Sequence, residues 1–411
     1  MTKIDAERAR RLAWLALGIY IIGLGISAVL RNQGDFQVYY RAGHRVLRGV
    51  AIYPAADKDR FLYAPIFAIA FAPFALLPRH AAQGAFFLIN AWALVALLTG
   101  SAAMLFGRER RLGAVMLAAP VILSFRFIGN NIDHGQVNLI VLALCVWAIV
   151  DVREERPRLA GTMLAAALLI KPYAILPALY LLLRRRFAAL GWALAAGVIL
   201  LAAPIVVLGL HGLVEQTAAY AQSVASMTGR YRTMLTNQSA VAAIARLLSI
   251  RGGDAAAEGA APMWAGMALE MILTAAVCGW IWKARGKSAT ADRMALAALF
   301  CVIPGLAPIS WKSYYAAMLV PYMALTAALW EDRADDAPPE ATAWTLFAIS
   351  AALNFIPGRH LSRAALFYSA HFLSSMFALA AIVAADWSAD ASRTDARRIP
   401  GGDHPTSEIM Q

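Results

Sequence analysis

Read for its alternation of apolar and polar positions, the chain is a series of long apolar runs set apart by short charged stretches. The runs fall at roughly 12–30, 82–105, 113–129, 136–152, 159–183, 191–209, 262–282, 293–308, 314–330, 341–357 and 364–386. Many are long enough to cross a hydrocarbon core at the helical rise of about 1.5 Å per residue. A lipid-embedded backbone must satisfy its own hydrogen bonds, so the pattern predicts an all-α polytopic membrane protein. The short alternating strands of a membrane barrel are not seen.

Lys and Arg between the runs set the orientation. Residues 8–11, 108–111 (RERR), 153–158 (REERPR), 184–186 (RRR) and 283–293 are basic and expected on the cytoplasmic side. Two stretches must then be irregular. Residues 61–78, with three prolines, are expected to lie along the outer interface as a broken helix; an ordinary proline-kinked span, which would put the RERR loop outside, is the plainer alternative. Residues 159–183 lie between two basic clusters and carry Lys171-Pro172 in the middle, which predicts two half-helices meeting there, a broken or re-entrant pair. A single tilted helix with a snorkelling lysine is the plainer alternative.

This threading gives about twelve transmembrane helices with both termini inside. The first outer loop (31–81), a long loop at 210–261 and short turns at 130–135, 309–313 and 358–363 would lie outside. Residues 331–340 read as an acidic connector, 1–387 as a single integral-membrane domain, and 388–411 as a disordered cytoplasmic tail. The N-terminus reads as a retained helix rather than a removed signal peptide.

Composition agrees with this reading. Of 411 residues, 61% are hydrophobic and 15% charged, and the mean hydropathy is +0.60. The net charge of +12 would suggest nucleic acid in a soluble protein. Here much of it lies in short loops beside apolar runs, so no nucleic-acid partner is expected and the bilayer is. Cys145, Cys278 and Cys301 all sit inside apolar runs, so they offer no disulfide framework or metal cluster.

Candidate chemistry gathers outside the apolar runs. Asp35 follows the first run directly and is placed to act as a general base on a hydroxyl. Tyr39, Tyr40, Tyr53 and Tyr63 offer aromatic faces and hydroxyls suited to a sugar. Arg41, His44, Arg45 and Arg48 recur three or four apart and could share a helix face beside a phosphate. Interfacial Tyr and Arg also anchor membrane proteins routinely. The polar run 129–138 supplies Asn131, His134, Gln136 and Asn138, as hydroxyl binders or as a helix cap. Lys171 is an ionisable group within an apolar run, costly unless it has a partner. Asn237 and Gln238 stand in an outer polar turn, and Trp311, Lys312 and Tyr315 in an outer aromatic cluster.

No P-loop, HExxH or Cys/His metal spacing occurs, and GxSxG is missing. Next to Asp35 the chain reads Asp35-Phe36-Gln37, not a DxD pair, so no metal-bridged nucleotide-sugar donor, and no metal or other cofactor, is called for. A multi-helix lipid or sugar transporter is the rival class. It would need membrane-centre charges along a path, and only Lys171 qualifies.

Several of these stretches, in the same order, resemble glycosyltransferase family 87 of the GT-C class. They are Asp35 with VYYRAG, Gly49 to Tyr53, FLYAP at 61–65, GQVNLIVLAL at 135–144, LIKPYAILPALYLLLRRR at 169–186, TNQS at 236–239 and PISWKSYY at 308–315. The resemblance spans residue 12 to about 330. It implies a GT-C-like bundle in the cell (plasma or inner) membrane. The implied reaction moves a hexose, commonly mannose, from a polyprenyl-phosphate sugar donor to a lipid or glycan acceptor on the non-cytoplasmic face, with inversion at the anomeric carbon. It also implies that Asp35 is the catalytic acid of the first outer loop. One departure stands out: where members often carry histidines after the Ser-Trp pair, this chain reads Lys312-Ser313-Tyr314.

Overall fold

The computed structural model describes residues 3–31, 33–110, 112–331, 341–356 and 359–398. Among them the chain is helical, without strands. In order, the helices are α1 (Lys3–Leu30), α2 (Gly34–Arg48), α3 (Pro65–Ala75), α4 (Arg79–Phe106), α5 (Ala114–His134), α6 (Asn138–Arg153) and α7 (Pro157–Ile170). There follow α8 (Ile175–Leu183), α9 (Phe187–Ala202), α10 (Ile205–Arg230), α11 (Ala240–Glu258), α12 (Ala260–Lys283) and α13 (Ala289–Leu306). The last are α14 (Leu319–Thr326), α15 (Ala341–Asn354), α16 (Arg359–Phe367) and α17 (Ala370–Arg398).

Among the described residues, six helices are long and apolar enough to cross a membrane, and up to seven if a bent pair counts as one span. The protein is a multi-pass membrane protein. Several other expected crossings are helices of only 8 to 16 residues, including α6 to α9, α14 and α15.

The two faces of the bundle can be told apart by their charges. Arg108, at the end of α4, pairs with Glu154 just past α6. Arg153 donates to Asp292 at 2.6 Å, and Arg184 pairs with the same carboxylate. The clusters around 108, 153–158, 184 and 292 therefore meet on one face, as their shared orientation required. Both ends of the 157–183 segment belong to it. Gly161, early in α7, lies so close to the start of α9 that a Cβ there would meet Ala189 O at 2.5 Å. The chain breaks at Lys171, whose extended backbone (φ −141°, ψ 121°) leads into a 3-10 turn over Pro172–Ala174. Proline at 172 explains the break, since it removes an N–H and biases the preceding residue towards extended backbone. Lys171 thus sits at the far end from both arginine clusters.

Residues 61–78 are not among the helices long and apolar enough to cross a membrane. Within them α3 has eleven residues, about 16 Å of helix, and is followed at once by α4. Three other expectations need correction. The apolar run at 191–209 does not continue straight: the helix breaks after Ala202 and turns by 85° into the next. Pro204 falls at that break. The expected long loop at 210–261 is mostly helix, in α10 and α11, which Gly209 and Gly253 interrupt at positive φ. The last helix carries on to Arg398, into the stretch read as a disordered tail. Residues 399–411 and most of the acidic connector (332–340) lie outside the described residues.

The core lies where α4, α5, α6, α13 and α14 pack together, with Leu97, Leu142, Phe300 and Tyr322 fully buried. Much of the outer surface of α1, α9 and α10 stays apolar and exposed, as lipid-facing helices require.

Candidate active site

At the face opposite the arginine clusters, α2 lies as an amphipathic helix over the ends of the crossings. Phe36, Tyr39, Gly43 and Val46 recur at helical spacing and are buried. The other side of α2 carries Arg41, Arg45 and Arg48. Gly135 fixes how closely α2 approaches. It ends α5 with φ +66°, and a Cβ there would meet Phe36 Cβ at 2.6 Å. Only glycine meets both demands. The first turn of α2, with Asp35, is thereby pressed against the turn between α5 and α6.

Asp35 stands at the wall of a cavity of about 430 Å³. Gln136 Nε2 donates to its Oδ2 at 2.6 Å. Burial raises the Asp35 pKa above the ordinary carboxylate value, while the Gln136 bond and the charges of Lys171 and His134 pull it back. His134, Gln136, Trp311 and Lys312 line the same cavity, so it joins three of the expected polar stretches. Trp311 meets Tyr231 edge to face at 5.3 Å. Burial, then the charge of Arg126, lowers the Lys312 pKa to about 8.

The remaining candidates surround the cavity without lining it. Lys171 donates to Tyr314 Oη at 2.8 Å, and its ammonium lies 4.9 Å from the Tyr63 ring centre and 4.6 Å from that of Tyr314. Tyr39 and Tyr63 share a hydroxyl–hydroxyl bond of 2.8 Å beside it. Tyr53 donates to Tyr63 O at 2.6 Å and steadies the loop after α2. Arg45 pairs with Asp57 at 2.6 and 2.8 Å, which holds the Asp57 carboxyl below its usual value. Arg41 reaches Asp59 O at 3.3 Å, and Tyr40 donates to Leu77 O at 2.7 Å.

Asn131 is buried and clasps its neighbours, donating to Asn90 Oδ1 at 2.9 Å and accepting from Asn138 N at 3.1 Å. Asn138 donates to Ser313 Oγ at 3.1 Å and so ties α6 to the Lys312 turn. Asn237 accepts from Ser310 N at 2.9 Å, Gln238 donates to Leu366 O at 2.9 Å, and Tyr315 donates to Gln238 O at 2.6 Å. These last three hold loops together, and the TNQS turn enters the cavity wall only through Thr236.

Three cavity-wall groups carry no sequence signal of their own. Asp59 and Arg60 come from the loop before α3, and Leu366 from α16. Arg60 donates to Ala55 O and meets Ser226 of α10, which ties that helix to the cavity rim. Asp59-Arg60 stands in an ordinary charged run, so only the fold selects it. The described residues contain no cluster of three or more His, Cys, Asp or Glu able to hold a metal.

Comparison with known proteins places this geometry in a family. The chain is 29% identical over 362 residues to a polyprenol-phosphate-mannose-dependent alpha-(1-2)-phosphatidylinositol mannoside mannosyltransferase of Mycolicibacterium smegmatis, covering 79% of this chain and 76% of that protein. It is 27% identical over 328 residues to a polyprenol-phosphate-mannose-dependent alpha-(1-2)-phosphatidylinositol pentamannoside mannosyltransferase of Mycobacterium tuberculosis, covering 76% and 68%. The family model of glycosyltransferase family 87 matches residues 61–307. A transport role is not favoured by these relatives, and this membrane protein belongs to glycosyltransferase family 87 and is a glycosyltransferase.

Proposed function

We propose that the protein transfers mannose from a polyprenyl-phosphate donor to a hydroxyl of a lipid or glycan acceptor, in the cavity walled by Asp35. The observation that carries this reading is the half-buried Asp35, fixed by Gln136 at the wall of a cavity that Lys312 also lines. The names of the mycobacterial relatives support the donor class and a glycolipid acceptor.

Asp35 takes the proton of the acceptor hydroxyl as that oxygen attacks the anomeric carbon. The bond from that carbon to the phosphate oxygen breaks, and polyprenyl phosphate leaves with the electron pair. A single displacement inverts the anomeric centre. Gln136 orients the carboxylate. Lys171, caged by Tyr63 and Tyr314, adds positive charge that favours the ionised form. Fixed charges in a site of low dielectric stabilise developing charge without reorganising, which favours this division of labour. Arg45, expected beside a phosphate, is committed to Asp57, whereas Lys312 lines the cavity.

The bundle threads the cell membrane about twelve times as a single domain over 1–387, with α7 and α8 as a re-entrant pair. The arginine face is cytoplasmic and the cavity opens on the non-cytoplasmic side. The convergence of the arginine clusters on one face supports this, since Lys and Arg in short loops mark the cytoplasmic side.

The test is transfer of radiolabelled mannose by membranes containing the wild-type protein, from polyprenyl-phosphate mannose and in parallel from GDP-mannose. Product from the lipid-linked donor, retained when GDP-mannose is absent, is the expected result. Product that depends on GDP-mannose alone would overturn the donor assignment.

A further inference from the structure

α5 runs from the arginine face to the cavity, and its side chains change character along the way. Near its start, Leu117, Val121 and Phe125 form one wall of an apolar groove of about 350 Å³, closed by Trp14 and Leu17 of α1 and by Phe355. Tyr20 of α1 donates to Phe125 O at 2.8 Å and marks the groove's upper end. The next residue is Arg126. One turn further, Asn130, and then His134, line the polar cavity. A single helix therefore presents an apolar groove, a cation and a polar cavity in sequence.

Arg126 and Lys312 form the charged step of this ladder. Arg126 donates to Asn354 O at 2.9 Å and Ile356 O at 3.4 Å through one nitrogen. No carboxylate among the described residues forms an ion pair with either cation. The turn that carries Lys312 packs against α5, with Phe127 and Tyr315 at 5.6 Å between ring centres. Burial first, and then the positive charge of Arg126, lowers the Lys312 pKa to about 8. Half-buried cations without an anion are costly and are relieved by an anionic ligand.

We propose that Arg126 and Lys312 together hold the phosphate of the donor, and that its isoprenoid chain leaves along the α1–α5 groove. This rests on the donor reading above. The donor's phosphate is bonded directly to the reacting carbon, so the cations that hold it belong at or next to the cavity wall: Lys312 lines it, and Arg126 stands one turn before Asn130 of that wall. The phosphate of a glycolipid acceptor is separated by sugars from the hydroxyl that reacts and has no need to be there. Chain, phosphate and sugar then match groove, cation pair and cavity.

The test measures binding of decaprenyl phosphate and of geranyl phosphate, neither carrying a sugar, and of phosphatidylinositol, to the full-length protein in detergent. Ala118 lines the groove. Ala118→Trp should weaken decaprenyl phosphate on the order of tenfold, through lost apolar contact, and leave geranyl phosphate nearly unchanged. Lys312→Gln should weaken both prenyl phosphates by about 10- to 100-fold, and Arg126→Lys should do so more mildly. Ala16→Trp fills the same groove from α1 and guards against a folding defect in the first variant. Decaprenyl phosphate binding that survives both tryptophans in folded protein would overturn the groove. Unchanged binding in Lys312→Gln would overturn the phosphate site. If phosphatidylinositol alone loses affinity in the tryptophan variants, the groove serves the acceptor instead. Wild type that binds neither prenyl phosphate would contradict the donor reading itself, a different failure from either of these.

Discussion

The two ends of the bundle use charge in opposite ways. At the arginine face, Asp292 takes Arg153 and Arg184 at once, while Asp151 and Glu154 draw in Arg108 and Arg156. At the cavity, Asp35 is bonded to a neutral amide, and Lys312 is paired with no carboxylate among the described residues. Paired charges at the first end hold helix ends together. Charges left without counter-ions at the second end cost folding energy that only a ligand or a reaction explains. Which charges are satisfied, rather than how many there are, separates scaffold from site.

Substitutions at each end test this contrast. The largest effect belongs to Asp35→Asn, expected to lower mannosyl transfer about 10²- to 10⁴-fold with the melting temperature nearly unchanged. Gln136→Leu comes next. Losing a hydrogen bond to the carboxylate should lower kcat about 10- to 100-fold. It should also move the acid limb of the rate profile to higher pH, since that bond lowers the Asp35 pKa. In wild type the acid limb already lies above the ordinary carboxylate range, because burial raises this pKa. The sign follows from the role: a base must be ionised, so activity is present above the folded-state pKa and lost as pH falls through it.

At the other end, Asp292→Asn should cost about 1–3 kcal/mol of stability, read as a lower melting temperature, and leave kcat within about twofold. Gly135→Ala sharpens the comparison from a third direction. Its positive φ and the Phe36 contact oppose a Cβ, so a loss of about 1–3 kcal/mol is expected together with reduced transfer, as Asp35 moves with α2. The smallest effect should be that of Arg41→Gln, whose contact is one long bond to Asp59 O on an exposed face.

Much of the frame was legible in the sequence. Proline after Lys171 and arginines at both ends of one apolar run foretold a broken pair, and the contacts of Arg153 and Arg184 with Asp292 bring those ends together. The shortness of α3 was likewise readable from its prolines. The course of 203–261 was not, because its polar residues read as an outer loop, whereas the chain folds there into α10 and α11, bent at Gly209 and Gly253. In the site, residue type alone could not separate cavity from packing. Asn131, Asn237 and Tyr315 look like ligands in sequence, yet their polar atoms are committed to backbone or to other amides. Arg126 shows the converse. It lies inside the apolar run 113–129 and drew no expectation from the sequence, and only folding packs the Lys312 turn against the helix that carries it.

The most direct measurement is single-turnover transfer from polyprenyl-phosphate mannose by purified wild type, Asp35→Asn and Asp292→Asn, each with its melting temperature. The account predicts a folded, inactive Asp35→Asn protein and an active Asp292→Asn protein that melts lower. Full transfer by folded Asp35→Asn would contradict it, and the base would have to be sought among the other groups at the cavity wall, beginning with Asp59.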